Sequence, residues 1–262
     1  MIVEMLLILP VFMTIVFTIM EMGNLAFQMI LLNPATWLGQ VLVFAALWTW
    51  FRRRLVGFSR RQDQDPSPDW SRRALRTSAA CLVAVVLTFT VASITWLMSV
   101  EPHWFSTLYP WYAMASGFVG ALALLTALVV VLSSRGLLPG VGPGHLHDLG
   151  KHLFAFSVLW GYLWFCQFML IWYANIPEET VYYAVRLEGA WRPVFVAVAV
   201  VNLGLPFLLL PVRAKKDPRV LLAASVVLFL GHWLDHYMAV LPSAPDLGPR
   251  FPGHTESADP AP

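Results

Sequence analysis

The sequence predicts an all-α, polytopic transmembrane bundle of about seven helices. Three observations predict it: a strongly apolar composition, division into segments of helix length, and basic residues concentrated in alternate loops. Of 262 residues, 58% are hydrophobic and 12% charged, and the mean hydropathy is +0.67. An ordinary soluble domain carries roughly 25% charged residues, so the composition argues against a water-soluble fold. A bilayer-spanning helix needs about 20 mostly apolar residues, and this length accommodates six or seven in one compact bundle.

The apolar segments fall at 2–20, 35–51, 77–99, 110–132, 153–174, 192–212 and 219–241. The first contains Glu4, and apolar residues continue past Glu21 to Leu32, which fits one helix or a helix with an interfacial or re-entrant stretch. No basic n-region or small-residue cleavage site marks a signal peptide. The segment at 110–132 carries Ala113, Gly117, Gly120, Ala121 and Ala127, small residues that let a neighbouring helix approach closely. The segment at 192–212 contains Asn202-Leu-Gly-Leu-Pro206. Proline there removes a backbone hydrogen bond and is expected to kink the helix. Residues 1–241 thus form the membrane domain, and residues 242–262, rich in proline, serine and glycine, are expected to be a disordered external tail.

Cytoplasmic loops retain Lys and Arg. Arg52, Arg53, Arg54, Arg60, Arg61, Arg72, Arg73 and Arg76 lie between the second and third segments. Arg135 and Lys151 lie between the fourth and fifth, and Arg213, Lys215, Lys216 and Arg219 between the sixth and seventh. Only Arg186, Arg192 and Arg250 of the 17 basic residues are left for the other side. The N-terminus is therefore expected in the cytoplasm and the C-terminus outside. The outer loops, Glu101 to Trp111 and Ile176 to Trp191, are short, acidic and aromatic. Trp104, Trp111, Tyr112 and Trp191 are expected in the interfacial aromatic belt. No basic surface suggests nucleic acid. Cys81 and Cys166 both sit in apolar runs without CxxC or CxxCH spacing, which gives no support to covalent haem, an iron–sulfur cluster or structural zinc.

The sharpest local signal is Gly231-His232-Trp233-Leu234-Asp235-His236-Tyr237. His232, Asp235 and His236 are spaced i, i+3, i+4 and share one helical face. Ionisable groups inside a membrane are costly and mark proton or substrate paths, and histidine titrates near neutrality. Counted from Arg219, the cluster sits in the outer half of the bilayer. A proton relay or a quinone-proximal site competes with a polar network that pins the helix; a metal site lacks an obvious source of further ligands. His145, His147, Asp148 and His152 stand at the cytoplasmic start of the fifth segment, where Asp148 can cap the first turn and the histidines are either solvated or a proton entry. Gln167, Tyr173 and Asn175 supply polar groups in and just beyond the fifth segment, of the kind an otherwise apolar quinone pocket needs.

The strings HLHDLGKHLFAF, QFMLIWYANIPEET, LEGAWRPV and TWLMSVEPHWFST, with GHWLD in the last segment, resemble the ActF subunit of alternative complex III, the bacterial quinol:cytochrome c oxidoreductase. The resemblance runs from about Leu9 to Pro242. It implies an NrfD/PsrC-like membrane bundle in the bacterial cytoplasmic membrane and a homologous partner in the same complex. It also implies iron–sulfur and multihaem cytochrome c subunits that hold the redox cofactors, and menaquinol as donor. Family members carry further N-terminal helices, which this chain is expected to lack. Thr95 stands where relatives often carry an acid, which shifts weight in a proton path to Asp235. The resemblance implies a part in quinol oxidation or proton translocation; the alternative is a non-catalytic scaffold that anchors the redox subunits through its outer loops.

Overall fold

A computed structural model describes residues 33–65, 67–101, 104–209 and 217–243. These are helical apart from short connections, with no strand among the described residues. They belong to two compact units, residues 1–99 and 100–262. The expected segment at 2–20 with Glu4 and Glu21, the loop residues Arg213, Lys215 and Lys216, and Arg250 with the tail after Ser243 lie outside the described residues.

The first unit contains a helical hairpin. Helix α1 (Pro34–Gln64) starts at Asn33, whose side chain accepts the Ala35 N–H at 3.1 Å, with proline in the first turn. It does not stop at residue 51 but continues through the arginine run. Arginine, leucine and glutamine are good helix formers, and hydropathy reports what tolerates lipid rather than what forms a helix. Helix α2 (Pro68–Ala92) begins at Ser67, well before the apolar segment, again with proline in the first turn. The expected loop at 52–76 is thus mostly helix. Trp48 Nε1 donates to Thr88 Oγ1 and Gln62 Nε2 to Ser71 Oγ, both at 2.9 Å, while Thr95 Oγ1 lies 3.0 Å from Gln40 Oε1. These three pairs keep one antiparallel register along the hairpin. α2 runs on into a π turn at Ser93–Leu97 and a 3₁₀ turn at Met98–Val100.

The second unit comprises α3 (Tyr109–Ser134), α4 (Pro143–Ala174), α5 (Pro177–Leu187), α6 (Trp191–Ala199), a π turn (Val200–Gly204), α7 (Leu205–Leu209) and α8 (Pro218–Val240), which ends in a 3₁₀ turn at Leu241–Ser243. Its core is where α3 meets α4 and α8: Val119, Ala123, Leu153, Trp160, Leu221 and Leu228 have no exposed surface. Leu125, Leu128, Phe165, Leu170, Leu230 and Trp233 on the same helices are exposed. A helix apolar on both faces belongs in a membrane rather than in water. By length and composition, α2 with its extension to Val100, α3, α4 and α8 with its extension to Ser243 can each cross a bilayer. The pair formed by α5 and residues 191–207, bent by 95°, adds a fifth if it is one span. These helices point to a multi-pass membrane protein. The segment at 35–51, expected to span, is not among them; Thr36, Gln40 and Thr49 interrupt its apolar run.

Three further elements differ from expectation. α4 starts at Pro143 rather than 153, with the Gly142 N–H donating to His145 Nδ1 at 3.1 Å. The expected loop from Ile176 to Trp191 contains α5, whose Glu178 and Glu179 in the first turn and Arg186 in the last complement the helix dipole; at 11 residues it is too short to register in hydropathy. The kink expected at Asn202–Pro206 is realised as the π turn. Pro206 has no N–H for the Asn202 carbonyl, and the Leu205 N–H reaches back five residues to Val200.

That turn sets the packing of α4 and α8. Asn202, fully buried, donates Nδ2–H to the Gly231 carbonyl at 3.0 Å. A Cβ on Gly231 would collide with Asn202 Oδ1, and one on Gly161 would collide with the Leu203 side chain. Of the small residues expected to admit a close neighbour, Ala113 is buried and Gly120 lies against His232, where a Cβ would sit 3.6 Å from the histidine's own. Ala121 is exposed. Gly231→Ala is expected to destabilise the detergent-solubilised protein by roughly 1–3 kcal/mol through overpacking, read as a lowered Tm. Gly39→Ala, where the added methyl meets nothing within 4 Å, should leave Tm unchanged or raise it.

Candidate functional site

α8 must bury a carboxyl group, and the helices around it supply donors. Asp235 is 2% exposed. It accepts hydrogen bonds from the Tyr112 hydroxyl and, at 2.6 Å, from Ser116 Oγ, both on α3. From α4, Trp160 Nε1–H donates to it at 3.0 Å. Ser116 has a single proton, so donating it to Asp235 leaves its oxygen free to accept from a ring N–H. His232 Nδ1 lies 3.0 Å and His236 Nδ1 3.2 Å from that oxygen, and His236 Nδ1 also lies 3.1 Å from the His232 carbonyl. Asp235, Ser116 and His236 therefore form a continuous hydrogen-bonded chain from the buried carboxyl to a half-buried imidazole. His232 is 2% exposed, the Trp160 ring stands edge-on to it at 5.2 Å, and its Nε2 has no partner among the described residues.

The face read from the i, i+3, i+4 spacing is therefore real, and it is completed by three residues on other helices. Tyr112, expected in an interfacial belt, is buried, as are Trp104 and Trp191. Trp104 stacks on Tyr182 with centroids 4.1 Å apart, and its Nε1–H donates to the Glu179 carbonyl at 3.1 Å. An aromatic ring with a polar tip can serve a belt or a buried hydrogen bond, and composition does not separate the two. Ser116 carries no sequence signal, since one serine among small residues reads as packing.

A second polar network closes the same end of the unit. Arg186 of α5 is 1% exposed and uses all five of its N–H groups. Nε donates to the Met238 carbonyl at 3.0 Å; one terminal nitrogen reaches Glu101 (2.8 Å) and the Tyr182 carbonyl (2.7 Å). The other reaches the Ala239 carbonyl (2.9 Å) and Ser243 Oγ (2.8 Å). The Tyr182 ring lies 3.4 Å from the guanidinium carbon, and Ser243 donates to Glu101. The Met238 and Ala239 carbonyls belong to the last turn of α8, which lacks internal partners and attracts cations. Ser243, expected in the disordered tail, is instead held here. The sequence signal for this pair is faint: an arginine and a glutamate on the side otherwise nearly free of basic residues.

Between the two networks lies a cavity of about 20 Å³. Asp235, Tyr112, Tyr182, Tyr183 and Arg186 line it with apolar neighbours. A single water needs roughly 10–15 Å³ of such space and two to four polar partners, and both are present.

The other expected site residues do not join this site. Gln167 is buried, and its Oε1 has no partner among the described residues. Tyr173 is 84% exposed, and Asn175 is the exposed left-handed residue that ends α4. These three do not converge on a pocket. At the start of α4, His145 accepts from Gly142, His152 Nδ1 lies 2.7 Å from the Asp148 carbonyl, and Asp148 pairs with Lys151 at 2.6 Å. Asp148 thus lies inside the helix rather than capping it. His147 is half-buried, with its Nδ1 unpartnered among the described residues. From His147 to Trp160 the helix rises roughly 20 Å, so this group is distant from Asp235. Among the described residues no three His, Cys, Asp or Glu side chains gather as a metal site.

No family model matches the chain, and no curated protein matches it. Arg186→Gln leaves Glu101 without its cation and α8 without its cap; breaking a buried pair costs about 3–5 kcal/mol. Its Tm is expected to fall accordingly, and adding Glu101→Gln should recover part of the loss. A Tm for Arg186→Gln equal to the parent's would contradict this account.

Proposed function

We propose that the chain is a membrane subunit of a respiratory quinol:cytochrome c oxidoreductase of the alternative complex III type, in the bacterial cytoplasmic membrane. Its part is to move protons through Asp235, Ser116 and the histidines of α8. The family reading comes from the resemblance of the sequence strings. The observation that carries the proton role is the convergence of three apolar helices on one buried carboxyl that is hydrogen-bonded through Ser116 to two histidines. An ionisable group at that depth is costly, and here it is hydrogen-bonded through Ser116 to two imidazoles.

In this reading the N-terminus is cytoplasmic and the C-terminus outside, which the clustering of 14 of the 17 basic residues between alternate apolar segments supports. Asp235 then lies roughly 24 Å along α8 from the cytoplasmic Arg219 and one turn from Arg186 at the outer end. Protons released at Asp235 have the outer surface nearby, with the water-sized cavity on the way. The cavity, with room for one water, supports water and proton handling. The quinol, expected to be menaquinol, and the haem c and iron–sulfur centres are assigned to partner subunits, including the homologous membrane subunit. The cytoplasmic entry is open to His145, His147, Asp148 and His152, whose distance from Asp235 requires further carriers.

A scaffold role has its own support: Arg186 locks α5, α8 and Glu101 into one rigid end suited to hold external subunits. The two readings separate in the assembled complex. Asp235→Asn is expected to lower quinol oxidation or proton release by about 100-fold, within the range for removal of a positioned proton carrier, with all subunits retained. Unchanged turnover and unchanged proton stoichiometry would sink the proton role. Loss of peripheral subunits on substitution in 101–111 or 176–191, with Asp235→Asn silent, would establish the scaffold.

A further inference from the structure

The hairpin of the first unit holds a cleft unconnected with the reading above. It measures about 610 Å³ and is lined by Trp50, Arg53, Arg54, Gly57, Phe58 and Arg61 of α1 with Arg73, Arg76 and Thr77 of α2. That volume lies in the range of small-molecule sites. The α1 residues are spaced i, i+3, i+4, i+7, i+8, i+11, a single helical face. Five arginines and no acid line it, and among the described residues none of the five is in an ion pair; Asp69 pairs with Arg72, outside the cleft.

Aromatic rings hold three of these guanidinium groups in place without consuming their N–H donors. Arg54 stacks over Trp50 at 4.9 Å, and Arg61 and Arg73 lie over the Trp70 ring at 5.2 and 5.0 Å. Stacked, planar guanidinium groups are suited to bidentate binding of phosphate oxygens. Gly57 keeps the cleft open: a Cβ there would meet nothing within 4 Å. The cleft lies where the apolar run of α1 ends at Phe51 and that of α2 has yet to begin. Exposed Trp50, Val56, Leu75 and Leu82 continue the surface on both helices. Basic pockets between helices at such a boundary suit anionic lipid headgroups.

We infer that this arginine cleft binds a phosphate-bearing anion, and that its occupant is the headgroup of an anionic phospholipid whose acyl chains lie along the exposed apolar residues of the hairpin. The test uses the full chain, delipidated in a neutral detergent and titrated by native mass spectrometry. The probes are phosphatidylglycerol, cardiolipin, phosphatidylcholine and inorganic phosphate. The two anionic lipids are expected to bind roughly tenfold or more tightly than phosphatidylcholine. Gly57→Leu, which projects a side chain into the cleft between the arginines and leaves each of them in place, should weaken that preference, and Arg54→Gln/Arg73→Gln/Arg76→Gln should remove it. Arg135→Gln, elsewhere in the chain, should leave it intact. Equal affinity for phosphatidylcholine, or anionic-lipid binding untouched by Gly57→Leu and by the triple variant, overturns the site. Inorganic phosphate that binds as tightly as the lipids and is lost in the same variants assigns the cleft to free phosphate and overturns the lipid.

Discussion

A carboxyl group that leaves water for the interior of apolar helices must find hydrogen-bond donors on whatever packs against it. In the second unit Asp235 carries that demand. Tyr112 and Ser116 meet it from α3 and Trp160 from α4, so the demand fixes which faces of three helices come together. Mean hydropathy along α3 offers no preferred face, since apolar residues surround it. The polar residues choose it. The close approach of α8 to the π turn beside the cluster needs a small residue, supplied by Gly231 against Asn202.

Arg186 answers the same demand with the opposite charge. A guanidinium brings five donors into a region with few acceptors, and the spent end of α8 offers carbonyls that have lost their helical partners. Glu101, the Tyr182 carbonyl and the Ser243 hydroxyl complete the set. The arginine network and the Asp235 network are about one helical turn apart on α8, with aromatic side chains and a water-sized space between them. A carboxyl set beside a fixed positive charge and a water-sized space has a geometry that fits the proposed proton release, and a rigid end is equally what a docking platform requires. Both follow from one arrangement, which is why the chemistry of Asp235 rather than the fold distinguishes them.

Much of the site is legible on α8 alone. His232, Asp235 and His236 share a face because helical spacing puts them there, whatever surrounds the helix. Their partners are not legible. Tyr112 and Trp160 sit in aromatic-rich segments where the lipid interface explains a polar-tipped ring as well as a buried bond does. Ser116 is one small residue among several, and Arg186 belongs to a helix too short and too polar for hydropathy to register. Gln167 is buried while Tyr173 and Asn175 are exposed for a related reason: nearness in sequence on α4 puts them at different angles around the helix and past its end.

The sequence by itself determined the helical, membrane-type character of the chain, the apolar cores of α2, α3, α4 and α8, and the clustering of arginine between apolar segments. These follow from composition and period, which are properties of each segment taken alone. Only the tertiary structure decided how far the helices extend into polar sequence, that the Asn202–Pro206 break is a π turn, and which residues complete Asp235 and Arg186. Those outcomes depend on donors and acceptors supplied by distant parts of the chain, and no local pattern records where a buried polar group will find its partner.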